Sequence, residues 1–216
     1  MLDTTMVESK LTLEEQMMAR AISNATKARP RCMPNPWVGA VLVSSDGQTF
    51  DGFTQEFGSG HAETVCLNEA GWKAQGATLY VTLEPCSHSG KTGPCVERII
   101  ESRISRVVIG MKDPDRQVCG EGIKSLQSAG VDVVVGVLED LVAEQLAPYV
   151  HHRNTGRPYV ILKIATTLDG KVAAPDGSSQ WITGPEARRE GHKLRAYSDA
   201  ICVGRGTVIS DNPQLT

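Results

Sequence analysis

The chain has 216 residues, 40% of them hydrophobic, a length that supports one substantial core and part of another. Its 22 lysines and arginines against 25 aspartates and glutamates leave a net charge of −3, so no basic field stands ready to hold nucleic acid by its phosphates. The opening "MLDTTMVESKLTLEEQ" lacks the basic-then-apolar order of a signal peptide, and no run approaches the roughly 18 apolar residues of a membrane span, so a soluble, cytoplasmic protein is expected.

"TLEEQMMARAISNATKA" places Thr12 as an N-cap with Glu15 three residues on, and Leu13, Met17, Ala21 and Ala25 recur at helical spacing. "VGAVLV" and "QTFDGF" flank Ser45, Asp46 and Gly47 and predict a hairpin. A helix follows from "HAETVCLNEAG", then a β-rich "ATLYVTL", a helix "VERIIESR" and a strand "RVVIGM". "GIKSLQSAG" and "VDVVVGV" repeat the alternation, and a helix is expected over 141–149. Such alternation predicts a three-layer α/β/α domain with a mixed, mostly parallel sheet over residues 1–150. The polar residues 151–157 read as a linker. From 158 onward come a strand "YVILKIA", a Gly/Ser-rich turn, a helix over 186–196 and a strand "AICVG", which look like the start of a second domain.

Six cysteines in a chain without a secretion signal point to free or metal-bound thiols rather than a disulfide framework. Cys32, Cys66, Cys119 and Cys202 stand alone and read as small buried apolar residues. Cys86 and Cys95 differ, because each follows a proline and "HAE" lies upstream. One imidazole, His61, and two thiolates make three ligands, the number a catalytic zinc uses while keeping a fourth position for water. Glu63 lies two residues beyond His61, about 200° round a helix, and is left free to move protons. Prolines 85 and 94 suit helix starts, where thiol pKa values fall. Zinc deaminases pair His-x-Glu with Pro-Cys-x-x-Cys, and here the cysteine spacing is longer. A purely structural zinc, with His88 as a fourth ligand, is the competing assignment, but it gives Glu63 no role.

These residues resemble a known family. "PNPWVGAVLV", "HAETVCLNEAG", "GATLYVTLEPCSHSGKTGPC" and "DPDRQVCGEGI" resemble the deaminase half of the bifunctional riboflavin-biosynthesis deaminase/reductases. "RPYVILKIATTLDGKVA", "SSQWITGPEAR", "LRAYSDAICVGRGTV" and "DNPQL" resemble the start of the reductase half. The resemblance implies a cytidine-deaminase-like domain, a linker, and from 158 to 216 part of a dihydrofolate-reductase-like domain. It implies hydrolytic deamination of a diaminopyrimidinone ribosyl phosphate, with Zn2+ on His61, Cys86 and Cys95 and proton transfer by Glu63. Asn35 would meet the base edge, and His88, Lys91 and Asp113 would contact the ribose phosphate or ring. In the reductase half, Ala165, Trp181, Thr207 and Asp211 match positions that contact NADPH, and Lys163, Ser179, Arg195 and Leu215 match substrate positions. Because family members continue well past the last residue here, this chain is expected to deaminate but not to reduce.

Two positions depart from the family pattern: Thr54 stands where a histidine is common, and Asp115 gives "DPD" where "DPN" is usual. Both would border the substrate. Two rivals keep the residues but change the conclusion. One is a zinc deaminase of a free base, a nucleoside or adenosine in tRNA, and the other is a non-catalytic partner with a deaminase fold. The acidic net charge argues against tRNA, and the intact His61, Glu63, Cys86 and Cys95 argue against a silent site. A homo-oligomer would fit the fold.

Overall fold

Thr12 begins the first helix, α1 (Leu13–Ala28), with both halves of a capping box in place: its side chain accepts from the Glu15 N–H, and the Glu15 carboxylate accepts from the Thr12 N–H at 2.7 Å. The computed structural model of the chain describes residues 11–29, 31–88, 93–115 and 118–215. The inward face of α1 is Met18, Ala21, Ala25 and Ala28. Leu13, expected on that face, is the first residue of the helix and is exposed.

The hairpin forms as predicted, from β1 (Gly39–Val43) and β2 (Thr49–Phe53) in antiparallel register. The Gly47 N–H closes the turn on the Ser44 carbonyl at 2.9 Å. After α2 (Ala62–Ala70) and a 3-10 turn (Gly71–Ala74), β3 (Thr78–Leu83) pairs antiparallel with β1. Then α3 (Cys95–Glu101), β4 (Arg106–Met111), α4 (Glu121–Ser128) and β5 (Asp132–Val135) follow, with β3, β4 and β5 parallel. The sheet order is β2-β1-β3-β4-β5. It is evenly mixed, because β1 returns antiparallel on both sides.

Alternation along the inner strands sorts the core into two layers. Val41, Tyr80 and Val108 meet Met18 and Ala21 of α1 on one face. Ala40, Leu42, Leu79, Val81, Val107 and Ile109 pack with Cys66, Ile99 and Leu126 from α2, α3 and α4 in the larger cluster. Leu42, Leu79, Ile99, Ile109 and Leu126 are fully buried, each stabilising by about 1.5–3 kcal/mol through transfer from water. Gly39 sets how closely α1 lies on β1: a Cβ there would sit 1.9 Å from the Ala21 carbonyl oxygen.

Two expectations about this region change. The helix expected over 141–149 is two helices, α5 (Glu139–Gln145) and α6 (Ala147–Thr155), broken at Leu146. Pro148 lacks an N–H and so suits the first turn of a new helix rather than the interior of an old one. The expected linker 151–157 is largely the last turns of α6, which ends at Gly156 in the left-handed region.

The chain divides into two compact units, Met1–Tyr159 and Val160–Thr216. The second contains α7 (Pro185–Ala196) and α8 (Arg205–Asp211). Its expected strands at 159–165 and 200–204 do not form a ladder, and no strand occurs among the described residues of this unit. β-propensity alone does not make a strand, which needs a paired neighbour to satisfy its backbone groups. Val160 and Leu162 remain exposed. No helix among the described residues is long and apolar enough to cross a membrane.

Candidate metal and active site

The sheet register gathers the loops that matter at one end. Leu83 lies beside Met111 in parallel register, and the Gly39 N–H donates to Thr82 Oγ1 at 3.1 Å. Residues 84–88 and 112–115, leaving β3 and β4, therefore emerge next to residues 35–38, which enter β1. Carboxyl ends of parallel strands are where open α/β sheets place their ligands.

His61 is the N-cap of α2, in extended conformation, and its side chain does not cap the helix. It turns to sulfur instead: His61 Nδ1 lies 3.2 Å from Cys95 Sγ and 3.6 Å from Cys86 Sγ. Cys95 is the first residue of α3, after Pro94 as N-cap. Cys86, expected at a helix start, sits on the loop leaving β3, and α3 takes hold of it. The Cys95 N–H donates to Cys86 Sγ at 3.4 Å and the Val96 N–H to the Cys86 carbonyl at 3.2 Å, so two N–H groups of that helix end are satisfied by one cysteine.

The ligand atoms of His61, Cys86 and Cys95 all lie within 4.8 Å of one another. A tetrahedral zinc with bonds of about 2.0–2.3 Å needs ligand edges of about 3.5–3.8 Å, so this donor set fits such an ion by chemistry and spacing. His88 is exposed and does not join the cluster. Charge is arranged around the same atoms. The Cys86 thiol is pulled down by the Cys95 side chain, against its own burial, with further help from His61 and the Cys95 N–H. The adjacent Cys86 sulfur and burial push Cys95 up. Cys86 also raises the His61 imidazole.

Glu63 stands in the first turn of α2, only 4% exposed, outside the ligand group but in the wall of the same cleft. Burial raises its carboxyl above the ordinary range, which suits a group that must both take and return a proton.

The cleft encloses about 690 Å³, counting its open mouth. Asn35, His88 and Asp113 line it together with His61, Glu63 and Cys86. Lys91 lies outside the described residues. Asp113 is buried, raised by that burial, and accepts from Tyr149 OH and the Asp115 N–H, each at 2.9 Å. Thr54 is also in the wall, where its hydroxyl accepts from the Val38 N–H at 3.1 Å and so serves the backbone of the strand ends. Asp115 pairs with Arg153 at 3.2 Å.

Sequence reasoning missed Glu84, Tyr149 and Arg153. Glu84 is buried behind Cys86 and accepts from the N–H groups of Asp113, Gly120, Gly122 and Ile123. Its place in "LEPC" beside a ligand was the available signal. Tyr149 and Arg153 carried none, because their chain distance from the cysteines hides their approach. Two of the lone cysteines, Cys119 and Cys202, are exposed rather than buried; Cys119 lies on the turn before α4.

In the second unit, Lys163, Arg195 and Leu215 share one groove, while Ser179 and Trp181 line a separate hollow. Trp181 is exposed, with the Arg188 guanidinium 4.3 Å from its ring centroid. Ala165 is half-buried and Thr207 and Asp211 are exposed on α8; none of the three lines either hollow. The eight residues are thus not assembled into one cavity.

The fold and the His-Cys-Cys cluster beside a buried glutamate define a cytidine-deaminase-like domain, and the family "Cytidine and deoxycytidylate deaminase zinc-binding region" matches residues 11–111. The family "RibD C-terminal domain" matches residues 158–216. The chain is 45% identical over 203 residues to the riboflavin biosynthesis protein RibD of Escherichia coli K12, which covers 94% of this chain and 55% of that protein. It superposes on a Thermotoga maritima diaminohydroxyphosphoribosylaminopyrimidine deaminase/5-amino-6-(5-phosphoribosylamino)uracil reductase with a TM-score of 0.88 at 46% identity, covering 94% of this chain and 58% of that one. An Aspergillus oryzae Rib2 deaminase in complex with DARIPP matches 66% of this chain and 94% of its own, with a TM-score of 0.54 and 29% identity. Over 94% of its length the chain is similar to the RibD riboflavin biosynthesis proteins, and it spans about half the length of the curated relatives it matches.

Proposed function

We propose that the first unit is a zinc-dependent aminohydrolase that converts 2,5-diamino-6-(5-phosphoribosylamino)pyrimidin-4(3H)-one and water to 5-amino-6-(5-phosphoribosylamino)uracil and ammonia, within the cytoplasm. The single observation that carries this reading is the convergence of His61, Cys86 and Cys95 with Glu63 buried beside them and left out of the ligand set. His61, Cys86 and Cys95 would hold the metal. When bound, zinc supplies a Lewis acid that makes the attacking water a nucleophile near neutral pH. Glu63 takes a proton from that water on a carboxylate oxygen and returns it to the departing amine, so that one residue serves as base and then acid. Burial keeps that oxygen from exchanging its proton with bulk solvent.

Asn35 offers the base edge paired donor and acceptor groups, as an amide can. Asp113, His88 and Lys91 hold the ring and ribosyl phosphate. Asp113 is oriented by Tyr149. The catalytic domain takes in all of α6, including Arg153 in the cleft wall, rather than stopping at residue 150. Residues from 158 would contribute to an NADPH-dependent reductase domain, with Ala165, Trp181, Thr207 and Asp211 toward the cofactor and Lys163, Ser179, Arg195 and Leu215 toward the substrate, an arrangement these residues do not form by themselves.

The test is ammonia release by the zinc-loaded protein from the diaminopyrimidinone ribosyl phosphate, beside cytidine, guanine and a tRNA anticodon arm. Turnover of the first alone supports the reading. Preferential turnover of any of the others would replace it with a different deaminase specificity.

A further inference from the structure

Carboxylates crowd the cleft. Glu63, Glu84, Asp113 and Asp115 all line it, whereas Arg153 is the only lysine or arginine in its wall among the described residues. A phosphorylated substrate entering such a site meets like charges unless a cation receives it, and Asp115 is the carboxylate that the Arg153 guanidinium already offsets, at 3.2 Å. Arg153 is also held from below. Its guanidinium lies 5.3 Å from the ring centroid of Tyr149, one helical turn earlier on the same face of α6, and the Tyr149 hydroxyl is fixed by Asp113 at 2.9 Å. Asp113 in turn accepts the Asp115 N–H, so Asp113, Tyr149, Arg153 and Asp115 close a ring of contacts around one edge of the cleft.

We infer that Arg153 is a specificity-determining residue that receives the phosphate of the substrate's ribosyl chain from the α6 side, in addition to the contacts proposed for His88 and Lys91, with Asp115 and Tyr149 holding its guanidinium in place. The inference rests on the proposed deaminase reading. A guanidinium has five N–H donors in a rigid fork, and the salt bridge to Asp115 runs through Nη1, so the fork can meet a phosphate while keeping that bond. Its orientation is fixed before the ligand arrives, so less side-chain entropy is lost on binding than for a free surface arginine. Asp115 has two effects: it steadies the cation, and it competes with the incoming anion.

The experiment compares wild type with Arg153→Gln, Arg153→Lys and Asp115→Asn, using the ribosylaminopyrimidinone with and without its 5′-phosphate, and measures ribose 5-phosphate binding by calorimetry. Arg153→Gln should raise KM for the phosphorylated substrate by about tenfold or more, the loss falling on KM rather than kcat, and should leave discrimination between the two substrates largely abolished. Arg153→Lys should recover part of it, and Asp115→Asn should shift the phosphate preference. Ribose 5-phosphate affinity should fall with KM in Arg153→Gln. If both substrates lose equally, or if discrimination and ribose 5-phosphate binding stay at wild-type values, the assignment is overturned. Failure of the deaminase reading looks different: wild type would release no ammonia from either compound, and the calorimetry would still decide whether Arg153 receives a phosphate.

Discussion

The N–H of Gly122, in the first turn of α4, donates to Glu84 Oε1 at 3.1 Å, and a Cβ on Gly122 would sit 2.2 Å from the carbonyl oxygen of Pro85. The start of α4 therefore lies directly against the segment that presents Cys86. Neither backbone can give way cheaply. Gly122→Ala should cost ~2–3 kcal/mol in urea unfolding, because the clash is with main chain rather than a flexible side chain. The same substitution should weaken zinc retention against a chelator, since the displaced atom is one residue from Cys86. Unchanged stability and unchanged zinc loss would show that α4 does not set the position of the cysteine.

Glu84 itself gives a second prediction. Its carboxylate is 4% exposed and collects N–H groups from the end of β4 and the start of α4. Glu84→Gln keeps the size but offers one acceptor oxygen and a donor NH2 to groups that are all donors. Leaving buried N–H groups facing a donor should cost roughly 1–3 kcal/mol. Thermal unfolding of the zinc-loaded and chelated proteins should both shift downward; a shift in neither would remove Glu84 from the account.

Thr54 allows a cleaner test of how the strand ends are closed. Its hydroxyl accepts from the Val38 N–H at 3.1 Å and faces the Val38 carbonyl at 3.3 Å, in a buried setting. Thr54→Val preserves shape and leaves that N–H unpaired, so a loss of about 1–3 kcal/mol is expected. Thr54→Ser keeps the hydroxyl and should recover much of it. Equal stability of the valine and serine variants would contradict the hydrogen-bonding role.

Asp51 on β2 sets a pH dependence. Burial raises its carboxyl, but the hydrogen bonds from Arg20 and Asn24 and the charges of Arg20 and Lys27 outweigh it and hold the group below the ordinary aspartate value of 3.8. A depressed carboxyl contributes stability above its unfolded value and loses it as pH falls through the folded one. The pair with Arg20 is more than a third exposed on both sides, so its contribution is small, about 1 kcal/mol or less. Asp51→Asn should therefore unfold at lower urea than wild type at pH 7, and the difference should shrink as pH falls below the ordinary aspartate value of 3.8. A difference that persists at low pH would assign the effect to packing instead.

The ligand set was legible because its grammar is local: a histidine opening a helix, and two cysteines each after a proline. The β-α alternation likewise announced the layers, since period-2 and period-3.6 patterning switch cleanly along residues 38–135. What the sequence could not reveal is tertiary. Tyr149 and Arg153 reach the cleft from a helix at the far end of the domain, and nothing in "PYVHHR" distinguishes them from surface residues; Tyr149 closed the helix expected over 141–149, whereas residues 151–157 read as a linker because they are polar, yet that polarity is largely that of a helix face. The expected strands of the second unit show the opposite error. "YVILKIA" has strong β-propensity, but a ladder needs an edge to pair with, which no single segment specifies.

Metal content per chain, measured by mass spectrometry on protein purified with zinc, tests the central claim most directly when wild type is set beside Cys86→Ser and Glu63→Gln. The account predicts about one zinc per chain in wild type and in Glu63→Gln, with deamination lost by a factor of about 10² or more in Glu63→Gln, and far less zinc in Cys86→Ser. Full zinc occupancy in Cys86→Ser, or normal turnover in Glu63→Gln, would contradict it.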